Sequence, residues 1–457
     1  MNQKHIPLGT QLSLDLFPTP AIEALENSVS IARADLGTFK DSLHAPIHRW
    51  FTYPAGFSYK GVEEAFKLYE VRSGMTVYEP FAGTATTNIV AKQQGIHSFG
   101  IEAHPFVHFV AQTKLFWEFD LHLLHREIDS LMVAIRNAST GEIKESSLEA
   151  VFPELVLKCY HSVKLLRLWV CREAILALPP SPFRNLAKLG LTNILRTLAD
   201  VETGWPYIAP NKPKASSPDV LGALYNQLYL MAGDIAQTLR QTRLGANTCL
   251  IAGDSRDRHH IIEDGSVDLC FTSPPYLNNY DYADRTRLET YFWGEAKSWS
   301  DITEKVRNKL IISATTQTQR SGFDKNRAIS KELRTVDPVV AETLQSKISQ
   351  LAELRFQKSG KKSYDLMVAG YFNDMLPVLQ ETYRVLKPGA ALMLVLGDSA
   401  PYGVHIPTDV YLGEIGIAIG FKGYEIEDLR VRGGKWKNNP QRHKVTLKES
   451  ILTLFKN

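Results

Sequence analysis

Short apolar runs separated by turns, and one long helical tract, organise this sequence. Runs at 75–79, 97–101, 248–251, 267–272 and 391–396 are bounded by glycine, proline or acidic residues, and each predicts a short buried strand. The stretch 88–94 behind the first run reads as a helix. Between 121 and about 243 the period changes. Apolar residues recur at three and four through 155–166 and continue from 168 to 178, which predicts helix. Residues 204–218 carry Pro206, Pro210, Pro213 and Pro218 without periodicity and read as a loop. Strand, turn, helix and strand in succession predict an α/β chain: a doubly wound, mainly parallel sheet with helices on both faces and a largely helical insertion.

Two of the runs end in candidate chemistry. Behind 75–79 stand Pro80, Phe81, Ala82, Gly83 and Thr84, a tight glycine turn that opens a helix, so its backbone N–H groups gather at the positive end of the helix. Glu102 closes the second strand about twenty residues further on, a spacing that suits a carboxylate accepting from a ribose diol. Behind 267–272 comes Ser273-Pro274-Pro275-Tyr276. Proline fixes φ and donates no backbone hydrogen bond, so Pro274 and Pro275 hold an extended turn whose carbonyls stay free to accept. Ser273 Oγ and the Pro274 carbonyl can take the two hydrogens of an exocyclic amino group on a nucleobase, and Tyr276 offers a stacking face. A proline-rich strand-to-loop turn without chemistry would carry the same four residues.

At these residues the sequence resembles the DNA amino-methyltransferases, which methylate an exocyclic nitrogen of cytosine or adenine. Phe81-Ala82-Gly83-Thr84-Ala85 matches the family's FxGxG motif except at Ala85, and Glu79 stands where Asp is more usual. The segment 48–58, with Tyr53, is similar to the motif that holds the methionine end of the cofactor. Ala252-Gly253-Asp254-Ser255 resembles the turn whose acid, here Asp254, accepts from the cofactor adenine. Residues 384–389 and 397–399 resemble the later half of the same fold, and 441–454 its final strand. The resemblance implies a Rossmann-like methyltransferase sheet ending in an antiparallel hairpin, S-adenosylmethionine as cofactor, and double-stranded DNA as partner, with a cognate restriction endonuclease where the enzyme is half of a restriction-modification pair. It implies methyl transfer to a flipped base at a specific site, by orientation rather than through a covalent enzyme intermediate or a metal. Serine first in the motif favours cytosine N4. Adenine N6, an RNA amino-methyltransferase and a non-catalytic nucleic-acid-binding subunit are the alternatives.

Charge and cysteine content narrow the partners. The net charge of the 457 residues is only +3, so affinity for nucleic acid must come from local patches. Between Lys305 and Arg334 eight basic residues face two acidic ones, and the stretch 313–322 among them is polar, which predicts a flexible loop ordering on DNA. A solvated face would show the same charges. Arg320, Lys325 and Arg327 are the candidate phosphate contacts there. Lys435 and Arg442 are those in the acid-free stretch 430–448, and Asn279 and Arg285 have either a role at base or phosphate or a place in a hydrogen-bonded loop. The four cysteines have no metal spacing, and Cys270, inside an apolar run, reads as an inert buried thiol. With no apolar run of ~18 residues and no signal-peptide pattern at its start, the chain is expected in the cytoplasm, held to the nucleoid through DNA, and off the membrane.

The predicted division follows. Residues 1–44 precede the cofactor-binding half at 45–116, and a helical insertion, a candidate recognition region, spans 117–245. The catalytic half occupies 246–294, a basic insertion for DNA recognition 295–362, and the remainder of the sheet 363–457.

Overall fold

The structure is a computed structural model, and it describes residues 37–53, 56–138, 147–204, 208–215, 218–242, 245–318, 328–358, 360, 362–432 and 445–457. Among these, nine strands occur: β1 (Thr76–Glu79), β2 (His97–Glu102), β3 (Val201–Glu202), β4 (Ala209–Pro213), β5 (Thr248–Ala252), β6 (Val267–Thr272), β7 (Leu386–Gly397), β8 (Gly423–Arg432) and β9 (Leu447–Phe455). Seven of them form one sheet in the order β5-β2-β1-β6-β7-β9-β8. The neighbours from β5 to β7 run parallel, and β9 lies antiparallel to both β7 and β8, so the sheet ends in the expected hairpin.

Burial explains why these runs become strands. Val267, Leu269, Cys270, Phe271 and Thr272 of β6 are all buried, as a strand covered by helices on both faces requires. One apolar cluster joins helix Pro105–Lys114 to the helical insertion, and a second joins β6 and β7 to helices Pro338–Gln357 and Tyr364–Val385. From β1 the chain moves outward through β2 and β5 on one side and through β6 and β7 on the other. The loops leaving β1 and β6 therefore part at the carboxyl ends of the strands, which opens a crevice at the switch point.

The insertion is joined tightly to the sheet. Asp234, buried on helix Val220–Gln241, accepts from the Ile47 backbone N–H at 3.2 Å, Trp50 Nε1 at 3.0 Å and Arg49 Nε at 3.0 Å. A buried carboxylate satisfied three ways fixes the segment 47–53 beside the crevice.

Two expectations are corrected. The proline-rich stretch at 204–218 contains a strand, β4, paired with β3 in a separate two-stranded ribbon. Pro210 and Pro213 are compatible with it because a ribbon edge leaves N–H positions unpaired anyway. The helix expected through 155–178 is two helices, Glu154–Cys159 and Ser162–Ala177, broken at Tyr160 and His161, where the His161 N–H donates to Asp200 Oδ2 at 2.8 Å. No helix among the described residues is long and apolar enough to cross a membrane.

Candidate active site

A cleft of about 830 Å³, measured out to its open mouth, occupies the crevice at the ends of β1, β2, β5 and β6. Tyr53, Pro80, Phe81, Gly83, Thr84, Glu102, Asp254 and Ser255 all line it, together with Ser273 and Pro275. Phe57, Ile101, Leu310 and Ile311 add apolar wall. The glycine turn has left-handed backbone at Gly83 (φ 53°) and again at Ala85 (φ 66°), immediately before helix Thr86–Gln93. Ala85 thus stands at a position whose backbone suits glycine, and its Cβ costs about 1–2 kcal/mol there.

Glu102 is fixed from both sides. Its Oε2 accepts from the Gly83 N–H at 2.8 Å and its Oε1 from the His104 N–H at 2.7 Å, and burial pushes its pKa up to about 7. A carboxylate oxygen has two lone pairs, so each keeps one for a ligand hydroxyl. Asp254 is held by Arg256, whose Nε donates to Oδ1 at 2.9 Å while its Nη1 reaches Asp374 at 2.9 Å.

Sequence reading assigned no role to Glu79, although it joins the two loops. Glu79 is buried at the end of β1, where its Oε1 accepts from the Thr272 hydroxyl and, at 3.1 Å, from the Phe81 N–H, and its Oε2 accepts from the Thr87 hydroxyl at 2.8 Å. Burial outweighs these three donors and pushes its pKa up to about 8. Thr272 immediately precedes Ser273, so one carboxyl group fastens the glycine turn to the serine-proline turn.

The segment expected to be flexible at 313–322 is tied down where it is described. Asn279, in left-handed backbone, accepts through Oδ1 from the Thr315 N–H at 2.8 Å and from its hydroxyl at 2.9 Å. Arg307 is buried against Asp281 at 2.9 Å, and Thr316 donates to the same carboxylate at 2.8 Å. These bonds lay Lys309, Leu310 and Ile311, part of the basic insertion, over the cleft.

On the other side of Ser273 the space is closed. The Ser273 hydroxyl donates to the Val395 carbonyl at 2.9 Å, leaving its lone pairs unengaged by that bond. Tyr276 donates its hydroxyl to Glu449 Oε1 at 2.9 Å, and Glu449 Oε2 accepts from Arg430 Nε at 2.6 Å. The Arg432 guanidinium lies over the Tyr276 ring, 5.2 Å from its centre. Cys270 is buried in β6, and burial holds its thiol far above the ordinary range.

Compared with models of known protein families, the chain matches none. Individual proteins do match it along nearly their whole length. The type II methyltransferase M.BsoBI of Geobacillus stearothermophilus is 27% identical over 458 residues, covering 91% of this chain and 87% of its own. M.AvaI of Nostoc sp. (strain PCC 7120) is 24% identical over 429 residues, with 88% and 84% covered, and M.MvaI of Kocuria varians 21% over 464 residues, with 95% and 96% covered; both are type II methyltransferases. Similar over nearly its whole length to type II methyltransferases, the chain is indicated by these relatives to be an enzymatic DNA methyltransferase.

In this methyltransferase the sequence-predicted residues divide by location. The eight proposed for the cofactor converge on the cleft with Ser273 and Pro275, whereas Pro274 and Tyr276 are not among the lining residues. Asn279 holds a loop. Arg285 is largely buried, its Nε has no hydrogen-bond partner, and its charge lies close enough to influence Tyr53 and Tyr280. Arg320, Lys325, Arg327, Lys435 and Arg442 lie outside the described residues. Glu79, Arg256, Glu449 and the 309–311 roof were missed. Only Glu79, an acid closing a buried strand, left a local signal.

Proposed function

We propose that this methyltransferase transfers a methyl group from S-adenosylmethionine to the exocyclic amino nitrogen of a base in double-stranded DNA, at cytosine N4 in preference to adenine N6. The observation that carries this reading is the convergence of Glu102, Asp254 and Ser273 on one cleft at the carboxyl ends of adjacent parallel strands. The cleft fits the cofactor: Glu102 offers two oriented acceptors to a ribose diol, and Asp254 an acceptor to an adenine amino group. Phe57, Phe81, Ile101 and Ile311 supply an apolar lining. When bound, the sulfonium supplies an electrophilic methyl group.

The chain's own residues do the rest. Ser273 Oγ and the Pro274 carbonyl accept the two amino hydrogens, so the nitrogen lone pair leaves the ring's π system and points at the methyl carbon. Were a methyl group delivered there, the nitrogen would gain positive charge before releasing one of its protons to solvent, and the same acceptors would stabilise that charge more strongly. Tyr276 stacks on the flipped base, and Glu79 keeps the two loops at a fixed separation. Serine at 273 is the feature favouring cytosine.

The test is transfer of labelled methyl from S-adenosylmethionine to unmethylated duplex DNA and, separately, to RNA, followed by mass spectrometry of the nucleosides. N4-methylcytosine from DNA is expected. N6-methyladenine would correct the base, label in RNA alone the substrate, and no label in either would overturn the reading.

A further inference from the structure

The reaction needs a seat for the flipped base next to Ser273, yet that space is filled by protein. Arg432, at the end of β8, sends its guanidinium over the Tyr276 ring and donates through Nη1 to the Asp398 carbonyl at 3.2 Å. Beside the ring is Gly397, the last residue of β7. A Cβ on Gly397 would overlap Arg432 Nη1 and come within 3.3 Å of Tyr276 Cδ2. The guanidinium therefore fills a narrow slot bounded by the Tyr276 ring, the Gly397 backbone and the Asp398 carbonyl. The slot stands at the carboxyl ends of neighbouring strands β6 and β7, beside Ser273.

We propose that Arg432 occupies the seat of the target base over the Tyr276 ring until DNA displaces it. The inference rests on the reading that the enzyme methylates a base.

Shape and donor chemistry support it. A guanidinium is a flat, conjugated group edged with N–H donors, and the amino-bearing edge of cytosine or adenine is likewise a flat N–C–N unit with an N–H donor. A slot that seats one such flat group over an aromatic ring suits the other. Glycine at 397 is what allows a flat group to lie against the backbone there.

The walls are fixed while the occupant is held lightly. Tyr276 is anchored through Glu449, which Arg430 also holds, and the Asp398 side chain accepts from the Lys448 N–H and pairs with His405, each at 2.7 Å. Among the described residues Arg432 has one hydrogen bond, to a neutral carbonyl, and no carboxylate pairs with it. A cation without an anion is readily drawn away by one. The phosphate backbone of a bound duplex brings such anions, and a guanidinium can bind a phosphate through two parallel hydrogen bonds. Departure of Arg432 to a phosphate would open the seat as the base arrives.

Arg432→Ala should consequently shift two affinities in opposite directions. The cofactor-loaded variant, titrated with free 1-methylcytosine, should bind it about tenfold more tightly than the parent, because no cation–π contact has to be broken first. The same variant should bind unmethylated plasmid DNA about tenfold more weakly and with a shallower salt dependence, having lost a phosphate contact. A simple brace would not produce opposite shifts. Parental affinity for 1-methylcytosine in Arg432→Ala, with parental cofactor affinity showing that it is folded, would overturn the proposal. Gly397→Ala supplies the second arm: its Cβ narrows the slot, so 1-methylcytosine binding should fall at least tenfold with cofactor binding retained, and unchanged binding would overturn the proposal too. A parent enzyme that labels no DNA would instead refute the methylation reading itself, and this inference with it.

Discussion

The two sides of Ser273 differ in how they are prepared. The cleft toward β1 and β2 is open, walled by residues from several strand ends, and its polar groups are fixed with lone pairs still unused. The side toward β7 and β9 is closed, with Tyr276 bonded to Glu449 and covered by Arg432. A small, soluble ligand can enter a preformed cleft. A base has to be pulled from a duplex, and an exposed aromatic slot would stay wet or collapse without it. On the proposed reading, the contrast teaches that one fold holds one ligand site preorganised and the other covered.

The largest effect expected is on chemistry alone. Ser273→Ala should lower the single-turnover methylation rate by on the order of 10²-fold, the scale of losing one preorganised group at a developing charge. Affinity for S-adenosylmethionine should remain parental. Labelled-methyl transfer with calorimetry checks both, and a parental rate would reduce the tetrapeptide to a turn.

Glu102→Ala acts on the open side. It should weaken S-adenosylmethionine binding by about 1.5–3 kcal/mol, the worth of charge-assisted hydrogen bonds. The parent adds a pH signature. With its pKa near 7 in the empty cleft, Glu102 binds a proton that a ribose diol, which prefers the carboxylate, would expel. Affinity should rise with pH up to about 7 and then level off, and titration at pH 6 in buffers of different ionisation heat should register proton release. A flat profile would remove Glu102 from the ribose.

Tyr276→Phe tests the closed side more gently. Losing the bond to Glu449 should cost about 1–2 kcal/mol, seen as lower thermal stability and a few-fold rise in KM for DNA, with cofactor affinity unchanged. Equal weakening of cofactor and DNA would mean that the two sides are not separate.

A last effect, read as a slope in pH, concerns the link between them. The pKa of Glu79 is raised from about 4.5 to about 8, so between these values the folded protein binds a proton that the unfolded chain does not. Its contribution to stability is therefore full below about pH 4.5 and is lost as pH rises through 8. Melting temperatures of Glu79→Gln should fall less steeply than those of the parent across that window, and parallel curves would refute the assignment.

The open side could be read in the sequence because its parts are local. Each strand end delivers its turn, and the apolar runs locate the ends. The closed side could not, since Glu449 and Arg432 reach Tyr276 through β8 and β9, far along the chain. The roof at 309–311 was hidden for another reason: its neighbours' charge suggested a DNA-facing loop, whereas Arg307 is buried against Asp281. The ribbon strand β4 was masked by its prolines. The break at Tyr160 and His161 was masked by a periodicity that continues because both helices face the same core.

The bond between Tyr276 and Glu449 also imposes an order in time. The two residues are 173 positions apart, and a ribosome covers that distance in on the order of ten to thirty seconds. Once residue 311 has been added, a nascent chain has presented every wall residue of the cleft but still lacks β9, and with it the anchor of Tyr276. An emerging polypeptide can thus acquire the means to hold a methyl donor well before it can position a base. Synthesis itself delays the first methylation until the last strand is in place.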